Sequence, residues 1–285
     1  MDNITRTIYG SALQTYLFVG KPVRYIDNTR LNERFDIQAA TLPTVNQLPK
    51  MGYFSIGNGG HKAIVGENNI TINNPVIHQA TDASCFNPLP FVLVEPSADL
   101  APADRANYAL RKEVNIQGKT YIAYYLRRIA NVPNLVDMEI RVVDGETVVS
   151  EPFVPTQDNL FPTPPDLTPE NINVLSGKYA TASLKLLLGF TRTEIDHLRN
   201  VAKVLYGSEL YAIISEIAMV SGVDHVVQVP VAGGGTFSFN EVIGAQIVAH
   251  VNVYYQMVYN NDELNIAIDA GAQEPLFKTD LLILP

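Results

Sequence analysis

Apolar and polar residues alternate from Tyr108 to Ile116 (Y-A-L-R-K-E-V-N-I) and again from Lys119 to Ile129 (K-T-Y-I-A-Y-Y-L-R-R-I). Gln117-Gly118 separates the two runs. Period-two alternation on both sides of a glycine-bearing two-residue break predicts a β-hairpin. A second strand pair is expected at Leu135–Val143 and Thr147–Phe153, joined by Asp144-Gly145. Met51–Ile56 reads as a strand and Pro22–Ile26 as a short one; Asn68–Ile77 is strand-like but broken by Asn-Asn-Pro. Asn87–Pro96 is a short apolar run bracketed by prolines, which suits a sheet edge. Ile8–Gly20 suggests a short helix ended by glycine. The first half is therefore expected to be β-rich, hairpin-based or sandwich-like.

Six prolines fall between Pro152 and Pro169. The stretch reads as an extended connector, or as an arm lying on a neighbouring subunit. It divides the chain into a β-rich domain at 1–151, a connector at 152–169 and a mixed α/β domain at 170–285. In the latter, Thr168-Pro169-Glu170 places an N-cap residue before a proline. Thr191 and Glu194 have capping-box spacing, and Ile195, Leu198, Val201, Ala202 and Leu205 follow at helical intervals. Gly207-Ser208 ends that helix. Ser208 is expected to cap a second one, with Leu210, Ile213, Ile214 and Ile217 on one face and Gly222 at its end, giving an αα unit.

Beyond it the period returns to two. Val226–Val231 and Thr236–Phe239 flank three glycines as a hairpin, Gln246–Tyr255 alternates, and Leu264, Ile266 and Ile268 mark another strand. The apolar tail Leu281–Pro285 is expected to dock. The whole reads as an α+β protein with antiparallel strands in both halves.

Composition narrows the function. The chain has 285 residues, 47% of them hydrophobic and 17% charged, which supports a packed core. A net charge of −9 disfavours broad binding to nucleic acid or to an anionic membrane, since phosphate binding needs concentrated Lys and Arg. Arg127-Arg128 is a short basic pair. The single cysteine, Cys85, cannot form an intramolecular disulfide and reads as a small buried residue. No signal core opens the chain and no run reaches the ~18–20 apolar residues of a membrane span, so a soluble protein made in the cytoplasm is expected.

Candidate chemistry is sparse. Ser55–Asn68 (S-I-G-N-G-G-H-K-A-I-V-G-E-N) packs four glycines and a histidine into fourteen residues. It departs from the Walker spacing, and Lys62 stands where the dinucleotide fingerprint needs its third glycine. Its glycines are better read as permitting positive φ and close backbone approach. His61, His78 and Asp82 could be folded together around a metal, but each reads first as an ordinary hydrogen-bonding residue. His250 alternates with Val251 and falls on the polar face of its strand. Glu216, among apolar neighbours, reads as a half-buried carboxylate bonded to a nearby loop rather than as a catalytic acid. Glu194 and Asp196 suit a helix start, and Asp224 a turn. No G-x-S-x-G elbow is present. Tyr121, Tyr124, Tyr125 and Tyr254, Tyr255, Tyr259 enrich two strands in tyrosine, a residue suited to protein interfaces. No catalytic residue, cofactor or metal site is assigned. Asn58, His61, Lys62, Tyr124, Tyr125, Phe161, Pro164 and Tyr254 are the candidate interface residues.

Four stretches together carry a resemblance: Y-F-S-I-G-N-G-G-H, D-A-S-C-F-N-P-L-P-F-V-L, Y-A-L-R-K with Y-I-A-Y-Y-L-R-R-I, and Y-A-I-I-S-E-I-A-M-V-S-G-V-D. They are spread between Tyr53 and Asp224, and the resemblance covers about half of the chain. The pattern resembles virion structural proteins of contractile-tailed bacteriophages, baseplate wedge proteins foremost. The resemblance implies a non-enzymatic subunit assembled through contacts with other virion proteins and copies of itself, without nucleic acid or membrane, and located in the virion after synthesis in the host cytoplasm. It leaves a neck, tail-terminator or capsid-associated protein as the near alternative. From other classes, the tyrosine strands would suit a carbohydrate- or receptor-binding module, and a hydrolase would need converging acid, base and nucleophile. The Ser55–Asn68 loop and the proline-rich connector are expected to meet neighbouring subunits.

Overall fold

The alternating runs fold as their period demands. A computed structural model of the chain describes residues 3–25, 30–38, 41–65, 71–130, 132, 135–145, 147–162, 175–231, 234–260 and 262–278. In chain order it holds β1 (Asn3–Arg6), α1 (Ile8–Phe18), α2 (Arg30–Phe35), β2 (Lys50–Gly57), β3 (His61–Val65), β4 (Thr71–Pro75), β5 (Pro88–Leu89), β6 (Val92–Val94), α3 (Pro102–Arg105), β7 (Tyr108–Ile116) and β8 (Lys119–Arg128). Then follow β9 (Asp137–Asp144), β10 (Thr147–Pro152), β11 (Leu175–Phe190), α4 (Arg192–Tyr206), β12 (Ile213–Pro230), β13 (Thr236–Met257) and β14 (Leu264–Phe277). The class is α+β and mostly antiparallel β. Hairpin β7–β8 closes on Gln117 and Gly118, both at positive φ (53° and 81°), the pair of left-handed residues that a tight hairpin turn needs. Hairpin β9–β10 turns at Gly145, φ 60°.

The chain divides into two compact units, and neither is a continuous half. One comprises Met1–Ile129 and Gly189–Leu264, the other Ala130–Leu188 and Asn265–Pro285. The expected division at 152–169 is therefore corrected. Strand pairing, not composition, sets the units: β2 lies beside β12 and β1 beside β13, so strands from before and after the proline-rich stretch share one sheet. Of the connector, residues 163–169 lie outside the described residues.

In the first unit an eight-stranded sheet runs β1-β13-β12-β2-β8-β6, with β5 also on β2 and β7 on β8. The expected αα unit is corrected here. Ser208 caps only a single 3-10 turn, Glu209–Tyr211, and Ile213 begins the long strand β12. The first ten residues of β12 are buried without a break, because β2 and β13 flank it and both its faces are covered. A continuous apolar run of that kind has no period to separate strand from helix. Pro22–Ile26, expected as a strand, is irregular over its described residues.

The proline-bracketed run supplies the short strands β5 and β6. Helix α4 covers β6: Asn200 Nδ2 donates to the Leu93 carbonyl at 2.8 Å, and Val201 packs with Leu93. Both capping-box bonds of Thr191 and Glu194 form, and Gly207 closes the helix in the left-handed region. Ile195, Leu198, Val201 and Ala202 face the core, each apolar side chain contributing roughly 1–3 kcal/mol. The main core gathers Leu31, Phe35, Tyr53, Leu110, Leu126, Val220, Val242 and Ile247. Cys85 is buried in it, as expected.

In the second unit, four antiparallel strands run β10-β9-β11-β14. Among the described residues of this unit there is no helix.

Candidate functional site

Among the described residues, buried polar groups gather where three loops meet β12 and β13. Glu216 stands on β12 with its side chain fully buried. Its Oε1 accepts the backbone N–H groups of Gly59 at 3.0 Å and Asn87 at 2.9 Å. Its Oε2 accepts the N–H of Phe86 at 2.9 Å and sits 2.9 Å from His78 Nε2. Burial alone would raise the carboxyl pKa. The bonds from His78, Asn87, Phe86 and Gly59 outweigh it and hold the group below its ordinary value.

His78 is sealed between two carboxylates. Its Nδ1 lies 3.0 Å from Asp82 Oδ2, opposite the 2.9 Å contact to Glu216. Two ring nitrogens that both face carboxylate oxygens are satisfied by an imidazolium donating in both directions. The ring's two faces are closed as well: Phe86 stacks at 4.0 Å and His250, from β13, at 3.7 Å. His250 itself is buried, and its Nε2 lies 3.2 Å from the Asp82 carbonyl, so that nitrogen carries the donated proton. Burial, then the charge of His78, pulls its pKa down to about 4. The stack thus pairs a neutral imidazole with a doubly bonded one.

The glycines of the Ser55–Asn68 stretch are explained by this carboxylate. A Cβ on Gly57 would fall 2.3 Å from Glu216 Oε1 and 2.7 Å from the Asn87 carbonyl oxygen, and one on Gly60 would fall 2.3 Å from the Ser215 carbonyl oxygen. The Gly60 N–H is taken by Ser215 Oγ at 3.0 Å. None of Gly57, Gly59 and Gly60 has a positive φ. Close approach, not conformational freedom, is what these positions require. Residues 66–68 of the stretch lie outside the described residues.

Chemically the network is a clamp. Four donors occupy the lone pairs of Glu216, and the bonds tie β12, the turn after β2, residues 78–82 and residues 86–87 to one buried point. Asn252, on the same side of β13 as His250, adds a bond to the Val76 carbonyl. Of the imagined metal trio, His78 and Asp82 meet, but both nitrogens of His78 are turned to carboxylates. Among the described residues no group of three or more His, Cys, Asp or Glu could hold a metal ion.

The candidate interface residues scatter. Tyr124 is corrected outright: it is fully buried, and its hydroxyl donates to Asp99 Oδ1 at 2.5 Å. It lies inside β8, flanked by β6 and β7, and with its side chain fully buried it offers no ring for a sugar to stack on. Tyr125 is half-buried against Phe35, ring centroids 4.7 Å apart. Asn58 accepts from Asn87 Nδ2, His61 is half-buried in β3, and Lys62 is exposed beside it. Phe161 is exposed. Pro164 lies outside the described residues, as does the side chain of Tyr254.

Other assignments also move. Asp224 sits on β12 rather than in a turn, accepting from Tyr53 Oη and Arg128 Nη1, each at 2.6 Å. Arg127 pairs with Glu194 at 2.7 Å. Sequence reasoning missed Asp99, which accepts from Arg111 at 2.7 Å, from Tyr124 and from the Leu100 N–H. It placed His250 on the polar face of its strand but missed that this face is buried, where Gln246, His250 and Asn252 repeat along β13 as buried polar residues. Among the described residues no helix is long and apolar enough to cross a membrane. Neither the curated proteins nor the solved structures yield a match. A family of unknown function (DUF7208) matches residues 1–282, nearly the whole sequence, and the chain belongs to that family.

Proposed function

We propose that the chain is a non-enzymatic assembly subunit of a contractile-tailed phage particle, working through contacts with copies of itself and with other particle proteins. One observation carries the assembly reading: the sheet of the second unit exposes apolar side chains on both of its faces. The register sets Val143 opposite Val148 and Val142 opposite Val149, and directly paired residues share a face. Val143 and Val148 therefore lie on one face, and Val149, Ile140 and Met138 on the other. Val148 and Val149 are each more than half exposed. A sheet stable by itself needs a hydrophobic face that is covered, and contiguous exposed apolar surface marks contact sites. At the end of β10, Glu151 and Pro152 discourage strand addition along the edge, so the faces are the contact surfaces. The phage setting rests on the sequence resemblance alone.

Sedimentation velocity of the purified chain over a concentration series tests the contact. Concentration-dependent association is expected, lost in the doubly substituted Val148→Lys, Val149→Lys chain with its far-UV spectrum unchanged. A chain that stays monomeric throughout sinks the self-assembly reading. Mass spectrometry of purified particles tests the setting, and absence of the chain from them refutes it.

A further inference from the structure

Two features of the first unit fit each other, and neither is used by the clamp or the valine-bearing sheet. Helix α1 ends in Leu17-Phe18-Val19, and Phe18 is 90% exposed, with its two neighbours also in water. A phenyl ring held out on the last turn of a helix, which Thr7 caps at its start, is a projecting knob. Some way off, a cavity of about 350 Å³ opens beside α3 and the outer part of the β12–β13 ribbon. Pro102, Tyr108, Val226, Phe237 and Phe239 line it, together with Arg105, whose guanidinium lies 3.7 Å over the Phe237 ring.

We propose that Phe18 of one copy seats in the Phe237–Phe239 pocket of another. The sizes agree: a cavity of ~150 Å³ already holds a benzene ring, so this pocket takes a phenyl group with part of Leu17 or Val19. The chemistry agrees too, because an aromatic pocket with a guanidinium in its wall attracts the π face of a further ring. A chain cannot fill its own pocket. Gly10 fixes the helix on β13, so close that a Cβ there would fall 2.4 Å from the Val248 carbonyl oxygen. From Gly10 to Phe18 the helix advances about 12 Å. From Val248 back to Asn240, at the pocket, the strand covers about 26 Å. Knob and pocket are different patches of one unit, so the contact is heterologous, and repetition gives a ring or an open filament rather than a closed dimer.

The proposal rests on the assembly reading but uses a different surface. Val19→Cys and Val226→Cys chains, both keeping Phe18, are made separately, mixed and mildly oxidised; Val19 is itself exposed beside the knob, and Cys85 is buried and serves as the silent background. A mixed disulfide between the two chains is expected, with a ladder of multimers from the doubly substituted chain. Phe18→Asp, a change at an exposed position, is expected to weaken head-to-tail association at least about ten-fold, while Phe18→Tyr retains it. No mixed disulfide, or unchanged association of the Asp variant, overturns the proposal. The Val148→Lys, Val149→Lys chain separates the readings: if it abolishes association but leaves the Val19→Cys to Val226→Cys cross-link, the knob contact stands alone, and the reverse result leaves only the sheet contact.

Discussion

Glu216→Gln tests the clamp at its centre. The substitution keeps the shape of the side chain and removes its charge. In the native site Oε1 accepts from Gly59 and Asn87, and Oε2 from Phe86 and His78. A glutamine has one carbonyl oxygen and one NH₂ group, so its NH₂ meets two backbone N–H donors in the Oε1 place, or one, Phe86, in the Oε2 place beside a histidine nitrogen that can accept. Hydrogen bonds to a buried charged group contribute roughly 1.5–3 kcal/mol each. Losing one or two of them predicts a cost of about 1.5–6 kcal/mol, a large part of the ~5–15 kcal/mol that holds a typical domain. The pH dependence carries a second check. The folded pKa of Glu216 lies below its unfolded value. The folded state therefore binds the proton less readily than the unfolded one, and the stabilisation is complete above the unfolded pKa of about 4.3 and fades as pH falls through the folded value. The variant lacks that contribution at every pH. Urea unfolding followed by circular dichroism should give the full gap at neutral pH, with an unchanged slope against denaturant. The gap should then narrow in acid. A neutral-pH gap under about 1 kcal/mol, or one that persists undiminished in acid, would refute the reasoning.

Two further predictions follow from the same site. Gly57→Ala drives a methyl group into Glu216 Oε1 and the Asn87 carbonyl, so urea unfolding should show a loss of about 1–3 kcal/mol or more; Gly118→Ala, whose Cβ meets nothing but whose φ is 81°, should lose only about 1 kcal/mol, and equal costs would deny the crowding. His250 has its pKa depressed from 6.5 to about 4, so the folded state resists a proton that the unfolded state accepts, and stability falls as pH drops from about 6.5 to 4 by something on the order of 3 kcal/mol. His250→Phe keeps a stacking ring and removes the proton site; its melting temperature should be less sensitive to pH across that window, and an identical slope would deny the assignment.

The parts of this fold that were legible are those with a local cause. A turn that needs two left-handed residues shows as Gln117-Gly118, and a helix that needs its first amides capped shows as Thr191 and Glu194. The parts that were illegible depend on partners distant in sequence. Ile213 to Gly222 read as a helix because its burial comes from β2 and β13, far away along the chain, and an evenly apolar run carries no period of its own. His250 illustrates the same limit more sharply. Alternation correctly placed it opposite Val251, on the polar side of its strand. A polar side is normally a wet one, but here the 76–87 loop lies over it and brings His78, Phe86 and the Asp82 carbonyl into contact. Glu216 gave the one warning. An acid set among isoleucines and alanines must be either neutral or fully hydrogen-bonded. The nearby glycines gave the answer without being recognised as such, since only residues without a Cβ let two backbone turns close on a buried carboxylate. Gly57, Gly59 and Gly60 are therefore better understood as the complement of Glu216, some 155 residues away, than as a motif in their own right.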